Sequence, residues 1–206
     1  MIAQSAKTQR KLAAPVVDDP TPRIANDLVR CCKPCRELAT QLDEYPSADA
    51  LFAELVDAGE LARATRLAGH WLSKRKSVWW ATLTVWWKLR EAGTPAEKLL
   101  IDTIVQWVLV PSDELRRTAG QLANQLPKNS SAALVGHAVF WSEGSVAPAN
   151  CPPVEPPSHL TGHFATSAVI RAVGTDQAAQ RQALRFAAET RYADEPWTIE
   201  ATAEDK

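Results

Sequence analysis

Residues 74–90 read KRKSVWWATLTVWWKLR, and the two tryptophan pairs in that run, Trp79-Trp80 and Trp86-Trp87, constrain the fold more than any other stretch. The pairs repeat at a spacing close to two helical turns, so each falls on nearly the same face of a helix. A Trp side chain buries roughly 150–250 Å², so four of them hide about 600–1,000 Å². At about 25 cal/mol/Å² that burial supplies roughly 15–25 kcal/mol of gross driving force, before chain entropy is set against it. Folded monomers rarely leave apolar patches beyond about 300–600 Å² in water. This helix is therefore either the centre of the fold or partly reserved for a partner.

Around it, apolar residues recur at three- and four-residue spacing. That periodicity predicts helices over 24–31, 34–42, 47–57, 60–73, 74–91, 95–110, 112–126, 130–142, 160–172 and 176–190. Boundary chemistry agrees. Ser47 and Ser112 stand where N-caps belong, and Thr94-Pro95 is a cap followed by a first-turn proline. Gly59 and Gly93 stand where helices end. Connections this short make consecutive helices antiparallel neighbours. No run alternates in the manner of a strand. The fold class is all-α, a compact bundle of about nine helices with the Trp79–Trp87 helix central. A short helical-hairpin solenoid is the alternative. It rests on the echo between Arg66-Leu67-Ala68-Gly69 and Arg117-Thr118-Ala119-Gly120, each upstream of an aromatic pair.

Residues 1–21 mix Lys, Arg, Pro and Asp without periodicity and read as a disordered leader. Residues 22–192 form one domain and 193–206 an acidic tail. Within the domain, 143–158 is a proline-rich loop. Its core, GSVAPANCPPVEPP, carries Pro148, Pro152, Pro153, Pro156 and Pro157 and is expected to be extended chain strapped across the Trp helix.

The formal net charge of −1 excludes a globally basic nucleic-acid binder. Locally the charges segregate. Asp43, Glu44, Asp49, Asp57, Glu54 and Glu60 share their segment with no base, and Arg63, Arg66, Lys74, Arg75, Lys76, Lys88 and Arg90 share theirs with no acid. Neighbouring helices of opposite charge attract at their rims. The N-terminus lacks the apolar core of a secretory signal. The longest apolar runs, 78–87 and 104–110, are too short for a hydrocarbon layer of about 30 Å. The expected location is the cytoplasm, with reduced cysteines and no membrane span.

Three segments carry a resemblance: Ser77-Val78-Trp79-Trp80-Ala81, Phe140-Trp141-Ser142-Glu143-Gly144-Ser145 and Pro152-Pro153-Val154-Glu155-Pro156-Pro157. Together they resemble an uncharacterised family of bacterial all-helical proteins of about this length, over roughly residues 48–173. The resemblance implies a setting in type VI secretion gene neighbourhoods and supplies no catalytic residues. Trp86-Trp87 and the cysteine cluster fall outside its pattern.

Candidate chemistry is sparse. Cys31-Cys32-Lys33-Pro34-Cys35 has the Cys-x-Pro-Cys spacing of a thiol-redox centre, without the βαβ context that chemistry requires. Cys32 and Cys35 with His159 and His163 would complete a tetrahedral Cys₂His₂ zinc site if the fold united them. No nucleophile elbow, phosphate-binding loop or His-Glu-x-x-His is present. His70 and His137 lie on helices among apolar neighbours. Asp102 and Gln106 share a face in an apolar stretch and are expected to form a buried polar pair, with Arg63, Arg66 or Lys74 as partners. The basic, Trp-rich helix also suits single-stranded nucleic acid or an anionic membrane surface, provided that several Trp are exposed.

The reading that follows is a non-enzymatic, cofactor-free adaptor or chaperone-like accessory that binds another protein, a secretion-system component or effector. Trp71, Trp86, Trp87 and Arg90 are the expected anchors, because interface hot spots favour Trp and Arg. A zinc or thiol-redox protein, and a nucleic-acid or membrane-surface binder, are the alternatives. Neither the partner nor the oligomeric state follows from the sequence.

Overall fold

Six of the eight described helices start on a side-chain cap. The computed structural model describes residue 45, residues 47–148 and residues 150–193, and all regular structure among them is helical. Eight helices follow in order: α1 (Ala48–Asp57), α2 (Leu61–Trp71), α3 (Lys74–Leu89), α4 (Pro95–Leu109), α5 (Asp113–Gln125), α6 (Ser131–Phe140), α7 (Leu160–Val173) and α8 (Gln177–Tyr192). The two helices predicted before residue 45, the leader, the cysteine cluster and the tail beyond 193 lie outside the described residues.

Side-chain oxygens of Ser47, Ser73, Ser112 and Ser130 accept from the N–H groups that open α1, α3, α5 and α6. Asp176 accepts two such bonds at α8. Thr94 and Glu97 form a reciprocal capping box at α4, with Pro95 at its first position. In Glu97, burial pushes the carboxyl pKa up. Hydrogen bonds from the Thr94 backbone, Ser130 and the Thr94 hydroxyl outweigh that and leave it lowered. Gly59 and Gly174 turn the chain out of α1 and α7 with positive φ.

α3 and α7 are the inner pair. α3 lies against α4, α6, α7 and α8, while α7 touches α2, α3, α6 and α8. Val78, Trp80, Ala81, Thr84 and Val85 are fully buried, so α3 is apolar nearly all round, as an enclosed helix must be. Trp80 Nε1 donates to Ala183 O of α8 at 2.7 Å, which satisfies the polar end of a buried indole. Where α2 crosses α7, Gly69 meets Gly162. A Cβ on Gly162 would stand 2.4 Å from Gly69 O, so only glycine permits this approach. Ser77 Oγ donates to the same Gly69 carbonyl at 3.0 Å.

The basic run at the start of α3 ties three other helices together. Lys74 Nζ donates to Ser142 O just beyond α6 at 2.5 Å. Arg75 donates to Val108 O and Leu109 O, the last carbonyls of α4. Lys76 Nζ donates to Arg191 O at 2.8 Å, in the last turn of α8. Final-turn carbonyls have no partner inside their own helix and sit at the negative end of its dipole, so Arg75 and Lys76 each answer both needs.

The proline-rich loop is pinned by α5. Arg116, 1% exposed, donates to Phe140 O, Ser145 O and Asp113 while its guanidinium lies over the Phe140 ring. Arg117 adds bonds to Ser145 O, Ala147 O and Asp113. Gly144 passes this cluster at φ +67°, where a Cβ would stand 3.3 Å from Arg116 and Asp113. The strap was expected to lie across the Trp helix. Its hydrogen-bond fastenings are on α5, where two donors meet the turn that follows α6.

Candidate functional site

The tryptophans divide between the core and one groove. Trp71 is 1% exposed, stacked on Phe52 at 4.4 Å and flanked by the Arg191 guanidinium. It is a core residue, which corrects its expected place among surface anchors. Trp87 is half-buried on the α8 side, edge-on to Phe186 at 6.2 Å, with Lys88 Nζ over its ring. Trp86 faces the other way, toward α4. Arg90, one turn beyond Trp86, is exposed, with its nearest acid Glu91 at 3.8 Å. The four expected anchors therefore do not converge. Adjacent residues on a helix point about 100° apart, so a Trp pair serves two different surfaces.

Trp86 lines an open groove between α3 and α4. Trp79, Thr82, Leu83 and Trp86 form one wall, and Ile101, Asp102 and Val105 the other, around a volume of about 160 Å³. On α3 these are positions i, i+3, i+4 and i+7, a single stripe. Thr82 Oγ1 donates to Val78 O within its own helix, so the lining is apolar except for the Asp102 carboxylate. Leu109, one heptad beyond Asp102 on α4, is 39% exposed.

Asp102 and Gln106 are exposed, which corrects the expected buried pair. The buried stripe of α4 runs through Leu100, Ile101, Ile104, Trp107 and Val108, and leaves positions 102 and 106 outside. The proposed cationic partners are elsewhere: Arg63 pairs with Glu60 at 2.6 Å, Arg66 is exposed, and Lys74 caps α6. Leu83, Ile101 and Val105 escaped the sequence reading. Their faces were legible, but that these two faces meet was not.

The remaining candidates are dispersed. His159 stands at the N-cap of α7 with no side-chain capping bond, and His163 is exposed, edge-on to Phe164. Cys32 and Cys35 lie outside the described residues. Among the described residues no three His, Cys, Asp or Glu side chains gather as a metal site would need. His137 is half-buried against Phe164 at 5.5 Å, and burial holds its imidazole below the usual 6.5. Among the described residues no helix is long and apolar enough to cross a membrane.

A family of unknown function (DUF6931) matches residues 51–191, a span that contains both walls of the groove and the proline-rich loop. No curated protein and no solved structure matches the chain. The chain belongs to this family of unknown function.

Proposed function

We propose that this member of the family is a non-enzymatic protein-binding module, an adaptor or chaperone-like accessory, which takes the apolar face of a partner helix into the α3–α4 groove. The observation that carries the reading is the groove itself: two tryptophans and three aliphatic residues around one carboxylate, open to solvent. Pockets for metabolites and cofactors usually enclose about 300–1,000 Å³. At about 160 Å³ this one suits one or two apolar side chains, the payload of an amphipathic helix lying in a groove. Asp102 selects a partner with Lys or Arg beside its anchors, and Arg90 adds a polar rim. The α3 cations are engaged at helix C-termini, which favours this reading over contacts with phosphate or an anionic membrane. A place in bacterial type VI secretion completes the proposal and rests on the motif resemblance alone, while a cytoplasmic location rests on the N-terminal sequence and the short apolar runs.

The test is quantitative affinity purification of the tagged full chain from its own host, beside Trp86→Ala and Asp102→Lys. One stoichiometric partner, depleted at least tenfold by either variant while both remain folded at the assay temperature, is the expected result. Full retention of that partner by both folded variants sinks the groove as its seat.

A further inference from the structure

We propose that residues 151–157, CPPVEPP, form a preformed polyproline II ligand that a second protein reads through an aromatic-lined groove bearing a basic residue. The inference concerns a different surface from the α3–α4 groove and stands without it.

Conformational restriction comes first. Pro152, Pro153, Pro156 and Pro157 have φ held near −65° by their rings. Cys151, Pro152, Glu155 and Pro156 each precede a proline and are kept in the extended region. Val154 alone escapes both rules, and the fold ties it down. Its N–H donates to Ser145 Oγ at 3.0 Å and its carbonyl accepts from Val146 N at 2.9 Å. Ser145 is held in turn, its carbonyl accepting from Arg116 and Arg117. Every residue of the run is thus fixed before any partner arrives, which removes most of the ordering entropy of binding.

The run is also presented outward. Residues 151–155 and 157 are exposed, Val154 to 54%, and only Pro156 is half-buried. Polyproline II has three residues per turn, so 152 with 155 and 154 with 157 make two ridges exposed throughout, while the third is exposed at Pro153 and half-buried at Pro156. The carbonyls of Pro152, Pro153 and Glu155 accept no hydrogen bond among the described residues. Exposed ridges with free carbonyls are what aromatic grooves recognise: rings pack between the prolines, and indole or phenol groups donate to the carbonyls. Pro152-Pro153-Val154-Glu155-Pro156 has the x-P-x-x-P spacing of such ligands, its spaced prolines being the exposed Pro153 and the half-buried Pro156. Glu155 asks for a cation on the receiving surface. That requirement disfavours a second copy of this chain, whose Trp79–Trp86 groove carries Asp102 and would set two carboxylates together.

The test places a photo-crosslinking residue, p-benzoyl-phenylalanine, at position 154 of the full chain in its own host. Two further versions carry Pro152→Ala with Pro153→Ala, the exposed x-P pair, or Glu155→Lys. One dominant adduct is expected, on a peptide of another protein that holds Trp or Tyr beside Lys or Arg. Its yield should fall at least tenfold in both versions, at unchanged melting temperature, and should be competed by a synthetic peptide of residues 150–158. Adducts only within this chain or its second copy, no adduct above the unirradiated control, or a yield indifferent to both versions would each overturn the proposal.

Discussion

At the crossing of α2 and α7 a single hydrogen atom replaces every side chain, because Gly162 stands where a Cβ would reach Gly69 O and the His70 ring. Gly162→Ala should therefore lower stability by roughly 1–3 kcal/mol, the range for overpacking a filled site. Urea denaturation checks it, and an unchanged midpoint would mean that α7 can shift. His137 offers a second test at this scale. Burial holds its pKa below 6.5, so the unfolded chain takes up the proton first as pH falls. Its stabilising contribution is present above about 6.5 and is lost as pH falls toward the folded-state value. The urea midpoint should decline between about pH 7 and 5, and His137→Gln should flatten that slope. Asp113 acts in a lower window. The Arg117 hydrogen bond, then that of Arg116, holds its carboxyl below 3.8, so its contribution persists above that value and disappears in stronger acid. The two slopes are separable on one pH series.

Among the elements, the opening turn of α3 has the most unusual task. Arg75 and Lys76 reach the C-terminal carbonyls of α4 and α8, and Lys74 the Ser142 carbonyl of the turn that follows α6, so three consecutive cations register those three chain segments against one N-terminus. Arg75→Ala should cost about 1.5–3 kcal/mol, the worth of a hydrogen bond to a charged group. Arg75→Lys should recover only part, since Lys lacks the guanidinium fork that reaches both Val108 O and Leu109 O. Thermal melts of the two variants decide it, and equal melting temperatures for Ala and Lys would remove the fork from the account. Sequence showed these charges plainly and suggested acidic side chains as their partners, on the neighbouring helix or at Asp102, with nucleic acid or a membrane surface as alternatives. What it could not convey was that three helix ends converge on one point, since that requires the packing of segments up to 115 residues apart. The strap has the same lesson. Its extended conformation follows from its prolines, but its anchorage on Arg116 and Arg117 depends on where α5 happens to lie.

Taken whole, the molecule separates tryptophans that hold it together from those it offers. Trp80 is fully buried and hydrogen-bonded to α8, so Trp80→Ala should cost about 3–5 kcal/mol and threaten folding. Trp86 is half-buried on the rim, and Trp86→Ala should cost about 1 kcal/mol, the centre of the distribution for point changes. Chemical denaturation of the pair would show that gap, and equal losses would assign Trp86 to the core. Such a division bears on function, because a binding residue must be removable without loss of the fold.

Sequence alone determined the eight helices of the described residues, the caps at Ser47, Thr94 and Ser112, and the all-α class. Those depend on periodicity and on hydrogen bonds spanning three or four residues, as Ser47, Thr94 and Ser112 illustrate. It also determined that so much tryptophan must be enclosed, because burial scales with area whatever the topology. Only the tertiary structure decided which tryptophan faces what. It placed Trp71 in the core, turned Trp87 toward α8, and left Trp86 opposite Asp102 across a groove. The physical reason is that a helix face is a local property, whereas a groove belongs to two faces brought side by side. That pairing was settled by contacts such as Gly69 on Gly162 and Trp80 on Ala183, which lie 93 and 103 residues apart in the chain.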